Sequence, residues 1–310
     1  MLGAPSHLLF WHEIPEVNPE AVYDCLGPYY LIHRKKADYA GPFDESGIPL
    51  LNYRGKIGLQ HNPIAIAQYG LAQFNRFRSA RGAEAREKFL RVADWLLGHL
   101  EKNSQGIPVW RHHFPWAYRA GLEPPWASAL AQGQGISVLL RASAETGRAD
   151  YVDAARHALA AFTLPMAEGG VTVRDERGGL WLEEYLVQPP SHILNGAISA
   201  GWGLFDTWLA TQDSSAKRLF DESARTLAAH LARYDTGFWS LYELPGNGLP
   251  RMMASFFYHR LHIAQLKVLA RMTGNDLFEQ AARRWASYQA RPIYRARALA
   301  EKIAFKLRYY

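Results

Sequence analysis

Tyrosines late in the chain stand in short motifs with acids or a histidine beside them: Glu183-Glu184-Tyr185, Tyr234-Asp235-Thr236-Gly237, Tyr242-Glu243-Leu244 and Tyr258-His259. Core tyrosines of a helix recur every three or four residues, and these do not. A carboxylate among several phenols is what a proton-transfer site needs if it acts on two faces of one carbon. Tyr258-His259 with His262 lacks the H-E-x-x-H pattern of a zinc helix, so no metal is expected. The two histidines read as rim or core groups that contact substrate. Asp235 is expected to fix its Thr-Gly turn, and Asn195 to cap a helix or touch sugar hydroxyls. Glu183 and Glu184, taken alone, read as solvated loop acids, and each tyrosine taken alone as a packing residue.

The elements that must position these residues form a repeat. Four helix pairs are predicted, starting at Asn62-Pro63, near Trp126, at His192 or Asn195 and near Phe257. The starts are spaced by about 65 residues, a period typical of repeated helical units. Asn62 before Pro63 is a strong start signal. The first helix of each pair is apolar nearly all round and rich in Ala and Gly, so it is buried on most sides; the second is amphipathic. Inner helices alternating with outer ones describe a predominantly α fold, an incomplete (α/α) toroid, with short β-hairpins at one rim. Gln68, Gln132 and Gln265 recur on the inner helices, where they line the cavity or bond between helices. Residues 1–60 are rich in proline and read as an extended arm packed on the 61–290 domain.

With 310 residues, 48% hydrophobic and 13% aromatic, the chain can bury a sizeable core. A single cysteine, Cys25, excludes an internal disulfide. The net charge of +6 is concentrated in the tail 291–310, which holds six bases and one acid. No nucleic-acid motif accompanies it. A helix from Pro292 would align Ala296, Leu299, Ile303, Leu307 and Tyr310 in one stripe flanked by bases. That is the pattern of a helix lying on an anionic membrane, and equally of a closing helix packed on the toroid. No signal peptide or spanning segment is seen, so the expected location is cytoplasmic, peripheral to the inner membrane.

The stretches Pro63–Leu71, Ala131-Gln132-Gly133-Gln134, Trp181–Tyr185, Leu194-Asn195-Gly196, Tyr234–Gly237 and Tyr258-His259 with His262-Ile263 and Gln265-Leu266 together resemble the C-terminal domain of the D-glucuronyl C5-epimerases. The resemblance covers roughly residues 60–290 in order. It implies an (α/α) barrel and conversion of D-glucuronate to L-iduronate in an acidic polysaccharide, without a cofactor. It places Tyr185, Tyr242 and Tyr258 in the catalytic set beside Glu184. A free phenol ionises near pH 10, whereas a carboxylate is ordinarily ionised at neutral pH. Glu184 is therefore expected as the base toward D-glucuronate and Tyr258 as the acid on the other face, though the two roles can be exchanged. Asn195, Tyr234, His259, His262, Gln68 and Gln132 are expected to bind substrate. The family's arginine after the catalytic tyrosine is missing from Tyr242-Glu243-Leu244-Pro245, so Arg251 or Arg260 is expected to hold the uronate instead. The animal family members' large β-rich domain is also absent from this arm. Expected partners are the acidic polymer and, through the tail, an anionic membrane, with a homodimer also admitted and no nucleic acid. A lyase or hydrolase on the same toroid, or a non-catalytic glycan-binding protein, stays open.

Overall fold

The structure is a computed structural model, which describes residues 6–80, 82–117, 121–244, 246 and 250–309. Two single-turn helices, α1 (Leu8–Trp11) and α2 (Arg34–Ala37), belong to the arm. The four pairs follow: α3 (Pro63–Ala80) with α4 (Ala83–Gly98), α5 (Ala129–Thr146) with α6 (Ala149–Thr163), α7 (Leu194–Thr211) with α8 (Ser214–His230), and α9 (Phe256–Thr273) with α10 (Asp276–Gln289). The Asn62 Oδ1 accepts from the N–H groups of Ile64 and Ala65, as its place before Pro63 predicts. Ser128 and Ser255 cap α5 and α9 in the same way, with Ser255 Oγ accepting from the N–H of Tyr258.

The inner helices α3, α5, α7 and α9 pack side by side in that order, and the ring is not closed into a barrel. The tightest meeting is between α5 and α7. A Cβ on Gly133 would come within 2.5 Å of the Ala200 backbone, and one on Gly203 within 2.3 Å of that of Gly133. Only hydrogen side chains let the two backbones approach so closely. Between pairs lie the two-stranded ribbons β3 (Glu101–Lys102) with β4 (Pro108–Val109) and β5 (Thr172–Arg174) with β6 (Leu180–Leu182). Among the described residues the segment around Phe238–Tyr242 forms isolated bridges, Asp235 to Ser240 and Leu241 to Met253.

The arm, which carries the ribbon β1 (Leu51–Asn52) and β2 (Leu59–Gln60), reaches into the ring. Tyr30 donates from its hydroxyl to Asp206 on α7 at 2.6 Å, and Asp206 is paired with Arg141 on α5, all three buried. Tyr29 packs edge-on against Trp202. An uncovered Asp206 would be costly, and here a cation and a phenol satisfy it.

After α10, helix α11 (Pro292–Tyr309) turns Ala298 and Phe305 into the body. Of the stripe expected either to lie on a membrane surface or to pack on the toroid, Leu299, Ile303 and Leu307 are exposed, so the closing-helix alternative does not hold for them. The packed face lies on the other side because Ala298 and Phe305 fit against the body while the longer stripe looks outward. Tyr310, assigned to that stripe, lies outside the described residues. No helix among the described residues is long and apolar enough to cross a membrane.

Candidate active site

The four inner helices begin at one end of the ring, and their first turns enclose a cavity of about 180 Å³. Gln68, Gln134, Asn195 and Tyr258 face it, one from each inner helix, together with Glu184 and Tyr185 from the loop after β6. Four helix N-termini carry their partial positive charge toward this end, which suits an anionic substrate. A neighbouring cavity of about 390 Å³ is lined by Tyr185, Tyr242 and Tyr258 with Lys302 and Lys306 of α11. Trp116, Tyr185 and Tyr258 line both cavities.

Glu184 is buried against α7. A Cβ on Gly196 would stand 2.3 Å from Glu184 Oε2, so glycine is required for the carboxyl to sit there. Asn195 Nδ2 donates to Oε2 at 3.2 Å. Asn195 is thus inside α7 holding the carboxyl, and not at the cap, which is Ile193. Burial raises the Glu184 carboxyl from 4.5 to about 8, against smaller lowering effects of hydrogen bonds from Tyr185 and Asn195. This corrects the expectation of a resting carboxylate and of a solvated loop acid. In a desolvated wall the neutral form is favoured. At pH 7 about one molecule in ten holds the ionised form.

The phenols converge on this carboxyl. Burial first, then the Glu184 charge, raises Tyr185, Tyr242 and Tyr258 above the ordinary phenol range. The rings of Tyr242 and Tyr258 meet edge to face at 4.8 Å. Their hydroxyls interact with each other. The backbone fixes both residues. The carbonyl of Tyr242 accepts from the N–H of Leu194 at the start of α7, and its N–H donates to Met252 O.

Several residues expected at the substrate lie elsewhere. His259 and His262 are buried, and each Nδ1 meets the hydroxyl of Ser240, at 2.8 and 2.9 Å. His259 Nε2 donates to Trp285 O, and burial lowers its pKa to about 4. The two histidines lock the segment before Tyr242 onto the helix that carries Tyr258. Tyr234 donates to the carbonyl of His192 at 2.6 Å and is fully buried. Glu183 is also buried, bound to His192 Nδ1 at 2.5 Å. Gln132 bonds Trp110 N, Pro108 O and Ala158 O, tying α5 to its neighbours. Gln265 donates to Asn195 O and Ser199 Oγ. Asp235 accepts from Gly237 N within its turn. Arg251 and Arg260 are exposed and line neither cavity. The cations beside the tyrosines are instead Lys302 and Lys306. Glu13, His33 and Lys36 of the arm also line the inner cavity. None of these five carries a motif. The one signal available was an amphipathic tail whose bases need a counter-charge.

The D-glucuronyl C5-epimerase C-terminus family matches residues 103–287, more than half of the chain. The chain belongs to this family. The arm, the first helix pair and α11 fall outside the match, which is narrower than the stretch whose motifs resemble the family. A D-glucuronyl C5-epimerase of Caenorhabditis elegans is 33% identical over 217 residues, covering 64% of this chain and 34% of its own. An uncharacterised protein of Methanocaldococcus jannaschii is 27% identical over 208 residues, 66% of either chain. The chain thus spans about a third and about two thirds of these relatives. Among solved structures, cellobiose 2-epimerase from Spirochaeta thermophila superposes with a TM-score of 0.51 at 12% identity, over 72% of this chain and 57% of that one. Unsaturated glucuronyl hydrolase from Bacillus sp. GL1 gives 0.50 at 15%, over 73% and 61%. These two likenesses show the toroidal fold.

Proposed function

We propose that the chain is a uronate C5-epimerase that converts D-glucuronate to L-iduronate residues in an acidic polysaccharide. The observation that carries this reading is the buried Glu184 carboxyl set among three interacting phenols where two cavities adjoin. The reaction breaks the C5–H bond next to a carboxylate and forms a new one on the opposite face. The intermediate enediolate carries extra negative charge and needs donors around it. Of the four groups, Glu184 ionises most readily, so it takes the proton from D-glucuronate. Tyr258 keeps its proton at neutral pH and returns one from the other face. Tyr185 and Tyr242 donate to the enediolate, and Lys302 and Lys306 offer positive charge to the uronate carboxylate. Membership of the epimerase family supports the same reaction.

The test is incubation of the protein with heparosan in deuterated water. Deuterium should enter at C5, and iduronate signals should appear by NMR. A panel of uronans with neither deuterium nor a new epimer would overturn the reading. Ultraviolet absorbance from an unsaturated product would assign a lyase instead.

A further inference from the structure

Part of the wall of the inner cavity is made of residues with buried acceptors that have no donor. Among the described residues, four buried side-chain atoms without a hydrogen-bond partner belong to residues that line it: Glu13 Oε2, His33 Nε2, Gln68 Oε1 and Asn195 Oδ1. Each of these residues is less than a tenth exposed. Gln68 and Asn195 spend N–H groups on Gln134 Oε1 and Glu184 Oε2, while their own oxygens have no donor. Glu13 Oε1 meets both His33 Nδ1 and Lys36 Nζ at 2.8 Å. With that ion pair Glu13 stays ionised, its pKa lowered to about 2 by His33 and Lys36 against the opposing effect of burial. A carboxylate at Nδ1 places the imidazole proton there, and burial keeps the ring neutral, so Nε2 is a lone pair. His33 holds this position with a left-handed backbone, φ 55°, at the start of α2. Such a conformation is unfavourable for histidine and is retained where surrounding contacts over-determine it.

Buried acceptors without donors are costly. A ligand that relieves them brings O–H groups. A carboxylate or phosphate would bring none and would be repelled by Glu13. A sugar ring carries hydroxyls along one edge, and in a uronate the carboxylate sits on the other. The lysines are in the neighbouring cavity, where Tyr242 and Tyr258 also face.

We propose that the N-terminal arm builds a diol subsite, in which Glu13 Oε2 and His33 Nε2 each accept one hydrogen bond from the C2 and C3 hydroxyls of the uronate undergoing reaction, with Gln68 Oε1 sharing one of the two protons. The ring then lies with its hydroxyl edge in the inner cavity and its carboxylate toward Lys302 and Lys306. C5 is brought between Glu184 and Tyr258. This rests on the uronate reading for the identity of the sugar, while the arm residues fall outside the family match.

The test is binding by calorimetry of a heparosan tetrasaccharide and of the same compound with 2-deoxy or 3-deoxy glucuronate. His33→Asn suits the site because Asn tolerates the left-handed region and its amide N–H can still donate to Glu13, while the Nε2 acceptor is lost. The wild type should prefer the fully hydroxylated ligand by about tenfold, the scale of one hydrogen bond. His33→Asn should lose most of that preference at one of the two positions. If that variant does not fold, Gln68→Leu probes the same subsite from α3. An unchanged preference in the folded variants, or none in the wild type, overturns the proposal. C5 exchange measured in parallel separates the two readings. Hydroxyl preference that depends on His33 without any exchange keeps the subsite and removes the epimerase. Exchange with a preference indifferent to His33 does the reverse.

Discussion

Burial holds the Glu184 carboxyl protonated up to about pH 8, so a rate that needs its carboxylate climbs with pH. Initial rates of C5 exchange should rise about tenfold per pH unit from 6 to 7.5 and turn down above 8, where Lys302, lowered to about 8 by burial, gives up its charge; a flat profile from 6 to 7.5 would remove Glu184 as the base. Stability moves the opposite way. Between pH 4.5 and 8 the unfolded carboxyl is ionised while the folded one keeps its proton. The folded state therefore binds more protons, and stability falls as pH rises through that window. At about 1.4 kcal/mol per pH unit, the full loss is on the order of 5 kcal/mol. Glu184→Gln stays neutral throughout, so urea unfolding should show it close to wild type at pH 4.5 and clearly more stable at pH 8. An equal difference at both pH values would mean that the carboxyl is not buried as described. The phenols make a separate demand. Tyr258→Phe and Tyr242→Phe each delete one hydroxyl and should lower turnover by about two orders of magnitude with little change in melting temperature. Near-normal turnover in both would remove them from the proton path.

Much of the helical scaffold could be read from local chemistry. Asn62-Pro63, the Ala- and Gly-rich inner helices and glycines 147 and 274, which end α5 and α9 in the left-handed conformation, are signals within a few residues of the boundary they set. The four catalytic candidates stand in three short motifs, Glu184 and Tyr185 sharing one, and the structure gathers them around two adjoining cavities. What could not be read is what long-range packing decides. Tyr30 meets Asp206 across 176 residues of sequence, and nothing local marks Glu13 or His33 as cavity residues. The histidines and Tyr234 misled because a buried hydrogen-bonding group and a substrate-binding one have the same composition. Two elements carry predictions. On α7, Gly196→Ala drives a methyl into Glu184 and should reduce turnover strongly, with a loss of about 1–3 kcal/mol in stability from overpacking. Unchanged kinetics would show that the carboxyl does not need its place against the helix. On α11, Lys306 is exposed beside the tyrosine cavity. Lys306→Gln should raise KM for the polymer several-fold at low ionic strength with kcat little changed, and the gap should close as salt is added. A KM that stays the same at every salt concentration would exclude α11 from substrate binding.

For the whole molecule, α11 has two faces with different tasks. Ala298 and Phe305 pack inward, and Lys302 donates to the carbonyl of Met253. Outward stand Ile293, Leu299, Ile303 and Leu307, 72%, 48%, 50% and 84% exposed, which is unusual for four large aliphatic side chains on one helix. At 100° per residue, Arg295 and Lys306 border this stripe on one side and Arg297 on the other. The one acid of the helix, Glu301, is engaged with Arg297 at 3.0 Å. An apolar stripe edged by cations complements an anionic bilayer surface, and the inward face keeps Lys302 on the opposite side, toward the tyrosine cavity. Each base near such a surface contributes about 1 kcal/mol, so three amount to roughly a hundredfold preference for anionic over neutral lipid at low salt. Co-sedimentation with phosphatidylglycerol and with phosphatidylcholine vesicles measures this directly. The protein should pellet with the anionic vesicles, less so as salt rises, and Ile303→Ser with Leu307→Ser should abolish binding without touching the packed face or C5 exchange. Equal partitioning into both lipids, or a concentration-dependent dimer that loses its partner in the same double variant, would assign the stripe to a contact other than a membrane.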